Sequence, residues 1–296
     1  MSPHDGRSVL ASDGRTLTVA EWGDADGFPV FSLHGSPGSR FSRHYDESEY
    51  SRAGARVITY DRPGYGGSDR DPGRRVLSCV GDVAAIADAL GIERFAVTGG
   101  SGGGPHALAV AARLTDRVTR AACSVSPAPY DIPDFDWSDG MDPENIRLTE
   151  VALEGGPAHV AELERLAAGM LERVAADPAK VLGDEWALPE SDRAELERPE
   201  RQDVTREAIN EAFRNGVWGL VDDDLAFLSP WGFDVSEIRV PSRVIYGDSD
   251  VLSPKRHGEW LAENVPGAEV VVEQDVGHIG HPDLVAERLG WLLQPV

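Results

Sequence analysis

Residues 97–111 read VTGGSGGGPHALAVA. Ser101 stands among Gly99, Gly100, Gly102, Gly103 and Gly104, and apolar residues abut the glycines on both sides. Upstream, FAVTGGS (95–101) has the composition of a buried strand. Downstream, PHALAVAARL (105–114) reads as a helix opened by a proline, which suits a first turn. Gly99-Gly100-Ser101-Gly102-Gly103 fits G-x-S-x-G in the strand-to-helix context which that motif requires. A serine on so sharp a turn projects its Oγ away from the sheet, often at positive φ, and side chains on the flanking positions would clash. The same turn aims the Gly102 N–H into the site at the start of a helix, where a developing oxyanion is stabilised. A phosphate-cradling loop is a poor fit, because no lysine follows the last glycine and the G-x-G-x-x-G spacing is missing. A flexible linker would not be bounded directly by strand and helix signals.

Working outward, strand-like and helix-like runs alternate through residue 126. RTLTVAEWG (15–23), FPVFSLHG (28–35), ARVITYD (55–61) and RVTRAACSVS (117–126) read as strands. Residues 39–53 read as a helix. So does VLSCVGDVAAIADALG (76–91), where Val76, Val80, Val83, Ile86, Ala87 and Leu90 recur at spacings of three and four and Gly91 caps the end. Such alternation implies parallel strands joined by helical crossovers. From about Pro127 to Asp234 helical stretches dominate, among them 159–176 and 204–216. Strand SRVIYGD (242–248), a helix near 254–264, strand AEVVVEQ (268–274) and a helix near 281–294 then follow. The expected organisation is therefore an α/β core formed by 1–126 and 235–296, interrupted by a helical cap or lid domain at 127–234.

The 296 residues carry 28 Lys and Arg against 51 Asp and Glu, a formal charge of −23. Between residues 127 and 235 there are 26 acids and 9 bases, so most of the excess lies in the helical stretch. So acidic a chain is unsuited to nucleic acid or to an anionic membrane. Cys79 and Cys123 sit in apolar contexts without metal-ligand spacing and read as buried thiols in a reducing compartment. With no signal-like h-region and no membrane-length apolar run, a cytoplasmic protein is expected.

Serine is a weak nucleophile at neutral pH and needs a base held by an acid. Among the eight histidines, His278 is the preferred base, in a loop just past the last strand. His281 is the runner-up. His257 and His106 fall on helices, and His4, His44 and His159 read as surface residues. For the acid, SRVIYGDSDVLSP offers Asp250, placed to reach into the site, and Asp248, better suited to bracing the turn. Asp222, Asp223 and Asp224 form a weaker alternative. A second oxyanion donor is expected from the backbone N–H of Ser36 in FSLHGSPGSR (31–40), so that Ser36→Ala should do little. His34 is expected to bond loop backbone and shape the hole, and DRPGYGGSD (61–69) to support it structurally. His34, Gly35, Phe213 and Trp218 are the candidate pocket residues, with Phe227 and Trp231 where the helical stretch rejoins the core.

Taken together, His34-Gly35-Ser36-Pro37-Gly38, Asp61-Arg62-Pro63-Gly64-Tyr65-Gly66, the Ser101 motif, Asp250 and His278 resemble the α/β-hydrolase superfamily along essentially the whole chain. The resemblance implies an eight-stranded, mostly parallel sheet with helices on both faces and a cap over a Ser101–Asp250–His278 triad. HGSPG is similar to the HGGPG of proline iminopeptidases, but Ser36 replaces a glycine and Gly102 a bulky residue. Haloalkane dehalogenases and epoxide hydrolases are disfavoured, since their nucleophile is an aspartate. The expected activity is hydrolysis of small carboxylic esters or lactones, without cofactor or metal, by a monomer or homodimer. Aminopeptidase action on an N-terminal proline, C–C bond hydrolysis or perhydrolysis, and a non-catalytic ligand receptor are the alternatives.

Overall fold

The computed structural model of the chain describes residues 6–280 and 284–295. The candidates His4 and His281 lie outside them. Eight strands form one sheet: β1 (Arg7–Leu10), β2 (Thr16–Gly23), β3 (Phe28–Leu33), β4 (Ala55–Tyr60), β5 (Phe95–Gly100), β6 (Val118–Ser124), β7 (Ser242–Gly247) and β8 (Glu269–Glu273). Their spatial order is β1-β2-β4-β3-β5-β6-β7-β8. β1 and β2 pair antiparallel with each other, and β2 with β4; every other pairing is parallel. The carboxyl ends of β3 to β8 therefore lie along one edge, where open α/β sheets place their ligands.

Alternation along the central strands builds two cores. Phe31, Ile58 and Val97 face one cluster, with Ile86, Leu108 and Leu261. Their neighbours Val30, Val57 and Ala96 face the other, with Tyr50, Leu289 and Trp291. Helices α2 (Cys79–Ala89) and α3 (Gly103–Arg113) cover the first face, and α1 (Ser48–Ala53) and α10 (Val285–Leu292) the second. Every residue of α3 from Gly103 to Ala112 is buried. This explains its small and apolar sequence, broken in that stretch only by the buried His106.

Between β6 and β7 the chain runs through five helices: α4 (Pro143–Glu154), α5 (Gly156–Ala176), α6 (Glu190–Leu196), α7 (Pro199–Ala212) and α8 (Trp218–Phe227). They enclose a cluster of their own that includes Leu163, Met170, Trp186, Phe213 and Leu220. A last helix, α9 (Lys255–Asn264), links β7 to β8. No helix among the described residues is long and apolar enough to cross a membrane.

Several boundaries differ from the sequence expectation. The helix expected over 39–53 is confined to α1. Upstream of it, polar side chains capture the backbone donors: Tyr50 Oη accepts from His44 N–H, His44 Nδ1 from Asp46 N–H, and Asp46 Oδ1 from Ser48 N–H. β1 was not anticipated at all, because four residues cannot display a period. α7 starts five residues earlier than expected, with Pro199 in its first turn.

Candidate active site

Ser101 follows β5 and precedes α3 with φ +52, in the left-handed region that non-glycine residues seldom occupy. The turn survives because its neighbours have no side chains. A Cβ on Gly99 would strike the Gly103 carbonyl, and one on Gly103 would strike the Leu33 carbonyl. Ser101 N–H donates to Ser124 O at 2.9 Å, tying the turn to β6.

His278 lies beyond β8 and lines the same cavity as Ser101. Its Nδ1 lies 2.9 Å from Oδ2 and 3.1 Å from Oδ1 of Asp250, in the loop after β7. Asp250 is fixed in turn by the N–H groups of Leu252 and Ser253, at 2.8 and 2.9 Å. This fixes the proton on Nδ1 and leaves Nε2 as the basic nitrogen. Burial opposes a charge on His278, but the Asp250 carboxylate outweighs it and raises the imidazole pKa above its ordinary value. Asp248 accepts from Asp275 N–H at 2.8 Å and braces the turn, as anticipated.

The loop after β3 brings Gly35 against Ser101: a Cβ there would lie 3.4 Å from that of Ser101. His34 Nε2 accepts the Arg62 N–H at 3.1 Å, so the proton is on Nδ1, which donates to Gly35 O at 2.7 Å. Burial and the nearby Arg62 charge hold His34 neutral, with a pKa well below the usual value. Arg62 donates to the carbonyls of His34 and Gly35, the latter at 3.1 Å. With the Gly35 carbonyl turned toward Arg62, the Ser36 N–H points the opposite way across the trans peptide. Among the described residues neither the Ser36 N–H nor the Gly102 N–H has a hydrogen-bond acceptor.

The Ser36 side chain is not idle, contrary to the expectation that it could be removed freely. Its Oγ donates to Asp223 and accepts from Arg62 at 2.9 Å. A Cβ on Gly102 would clash with this hydroxyl and meet the Phe227 ring at 3.0 Å. The two departures from the proline iminopeptidase pattern, one in HGSPG and one after Ser101, thus share one contact: a larger residue at 36 occupies the space vacated at 102.

Asp222, Asp223 and Asp224, the alternative acids, are engaged elsewhere. Asp222 pairs with Arg70 at 2.7 Å. Asp223, fully buried, takes Arg62 at 2.6 Å, Arg74 at 2.7 Å and Tyr65 Oη at 2.8 Å. Asp224 pairs with His159 at 2.9 Å. His159 is therefore buried rather than on the surface. His106 and His257 are buried as well, and burial pushes both down to about 4.

The cavity measures about 650 Å³. His34, Gly35, Ser36, Ser101, Gly102 and His278 line it on the core side, and largely apolar residues such as Leu163, Met170, Trp186 and Phe227 on the helical side. Phe213 and Trp218 do not line it. Phe213 is packed inside the helical cluster, and Trp218 is exposed, with the Arg70 guanidinium 3.9 Å from its ring centroid. Trp231 is buried in the core. One residue near His278 had no sequence signal: Asp192 on α6 accepts the His278 and Ile279 backbone N–H groups at 2.8 and 3.0 Å.

Sheet order, the strained serine turn and the aspartate-held histidine define an α/β hydrolase. A family model for the alpha/beta hydrolase fold matches residues 29–283, and the chain belongs to that family. It is 30% identical to the 2-hydroxymuconate semialdehyde hydrolase of Pseudomonas putida over 94% of this chain and 89% of that one. It is 33% identical to a non-heme chloroperoxidase of Streptomyces lividans, but that match spans 45% of this chain and only 49% of the relative. Among solved structures, a thermophilic esterase from Thermogutta terrifontis superposes with a TM-score of 0.68 at 23% identity, covering 97% of this chain and 98% of that one, a likeness of fold.

Proposed function

We propose that the chain is a serine hydrolase of small carboxylic esters or lactones, with residues 127–234 acting as the cap over its site. The carrying observation is one constellation: Ser101 at positive φ shares a cavity with His278, whose Nδ1 is held by Asp250. Ser101 Oγ attacks the carbonyl carbon while His278 Nε2 takes its proton. The carbonyl oxygen becomes an oxyanion, held by the Ser36 and Gly102 N–H groups. The tetrahedral intermediate collapses, and the imidazolium, stabilised by Asp250, protonates the departing alcohol. Water then attacks the acyl-enzyme by the same route, releasing the acid and restoring Ser101.

An apolar helical wall suits acyl or alcohol carbons. Aminopeptidase action fits less well, since a substrate ammonium needs an unengaged carboxylate. Among the described residues, the acids that line the cavity are Asp224 and Glu273, and they are already bonded to His159 and Arg288. A receptor without catalysis would have no use for a strained serine together with two N–H donors that have no acceptor among the described residues. C–C bond hydrolysis is the second reading, favoured by the near full-length similarity to a 2-hydroxymuconate semialdehyde hydrolase. The test is turnover of p-nitrophenyl butyrate. Ser101→Ala should fold normally and lose about 10³-fold or more in kcat. Undiminished turnover in that variant would refute the mechanism. Faster turnover of a vinylogous 1,5-diketone than of any ester or lactone would favour the second reading.

A further inference from the structure

His278 is held at two places by two carboxylates. Asp250 of the core takes the ring at Nδ1. Asp192 takes the backbone, with Oδ2 on the His278 N–H at 2.8 Å and Oδ1 on the Ile279 N–H at 3.0 Å. Asp192 comes from α6, in the helical segment between β6 and β7. Its side chain fills the space beside Gly277, where a Cβ would collide with the carboxylate. The residue is buried, and among the described residues no arginine or lysine pairs with it. Burying a carboxylate without a cation is expensive, but it presents an acceptor oxygen to each of the two N–H groups, where an amide or a hydroxyl has one oxygen to offer. Asp192 does not line the cavity. It has no direct route to substrate binding.

Building on the serine-hydrolase reading, we propose that Asp192 is a positioning residue for the catalytic base, so that seating of the helical segment on the core and alignment of His278 are a single event. With Asp192 in place the loop presents His278 to Ser101. Without it, the loop stays pinned upstream of Gly277, where Asp275 N–H donates to Asp248 and Val276 O accepts from Ser249 N–H, but among the described residues the ring contact to Asp250 is the only hydrogen bond left to His278. Burial raises the Asp192 pKa above the usual carboxylate range, and when ionised the group places a second negative charge near the imidazolium, beside that of Asp250.

The experiment compares Asp192→Ala and Asp192→Asn with the wild type and Ser101→Ala, using p-nitrophenyl butyrate. Misplacing a catalytic group by about 1 Å can lower turnover by about 10²-fold. For Asp192→Ala we expect kcat to fall about 10- to 100-fold, with KM within about threefold of the wild type. Asp192→Asn keeps the shape and one acceptor oxygen, so its kcat should fall between the two. The acid limb of its kcat/KM profile should move to lower pH, because a charge favouring the imidazolium is gone. A purely structural residue would not move that limb. If Asp192→Ala fails to fold, the asparagine variant decides by the same two readouts. Variants with kcat within about twofold of wild type and an unmoved limb, or with losses that merely track the unfolded fraction, would overturn the proposal. If Ser101→Ala is dead while the Asp192 variants are normal, only this inference fails. An active Ser101→Ala sinks the underlying reading with it.

Discussion

At His278 two opposing effects act on one imidazole. Burial disfavours its charge, while Asp250 at 2.9 Å favours it and wins. In the proposed mechanism only the neutral ring can take the Ser101 proton. Because the pKa is raised, kcat/KM should decline on acidification with a midpoint above the ordinary histidine value of about 6.5. A profile from pH 5 to 9 with a non-titrating ester measures this, and a midpoint at or below 6.5 would contradict the Asp250 contact. The pair at 36 and 102 makes a second prediction. Gly102→Ala drives a methyl into the Ser36 hydroxyl and should reduce kcat/KM at least about tenfold by displacing one of the two proposed oxyanion donors. Adding Ser36→Gly removes the obstructing side chain, so the double variant should be more active than Gly102→Ala alone. Additive losses in that cycle would mean that the two positions do not communicate. The sequence showed both substitutions as separate oddities; their contact required the loops after β3 and β5 to be brought face to face.

At the scale of elements, α8 is the joint between the helical segment and the core. Asp223 on it receives Arg62 and Arg74, and it bonds Tyr65 from the turn after β4 and Ser36 from the loop after β3. Its carboxylate stays ionised: burial raises its pKa, but the two guanidiniums outweigh this and hold it well below the usual range. Asp223→Ala would leave two buried cations facing each other. Breaking such a network by removing one partner should cost about 3–5 kcal/mol, read as a lower urea midpoint at unchanged m-value. A loss below about 1 kcal/mol would show the cluster to be well hydrated. The sequence pointed to the supporting role of DRPGYGGSD, because a glycine-rich turn after a strand is a local feature. It could not supply the counter-charge, since Asp223 lies 161 residues from Arg62. The same limit explains His159, which looks exposed on an acidic helix until Asp224 meets it. Strands and helices with clear periodicity were readable; side-chain pairings across the fold, Asp192 with the His278 backbone included, were not.

For the whole molecule, charge is the dominant global quantity. Residues 127–235 contribute 26 acids and 9 bases, or −17 of the −23. The acids of this stretch do not crowd the cavity: of them, only Asp224 lines it, and it is bonded to His159. Asp142, Asp192, Glu195, Asp222 and Asp223 are buried, and the other acids of the stretch are wholly or partly exposed, so most of the excess faces solvent, where carboxylates repel one another over distances beyond direct contact. Arginines are drawn into short pairs, such as Arg147 with Glu144 at 2.6 Å and Arg206 with Asp203 at 2.6 Å. Salt acts unequally on these two populations. Raising ionic strength from about 0.01 to 0.15 M shortens the screening length from about 30 to about 8 Å. Pairs within 3 Å lie inside either length and lose little, and exposed pairs contribute little to begin with. The diffuse repulsion is screened strongly. Compact acidic chains are destabilised by that repulsion, so Tm should rise as sodium chloride is increased over this range at pH 7. The rise should be steeper at pH 8 than at pH 5, where part of the carboxylate charge begins to be neutralised. Thermal melts across a salt series measure this directly. A Tm that falls with salt would place the balance with the ion pairs and make the acidic surface a stabilising network.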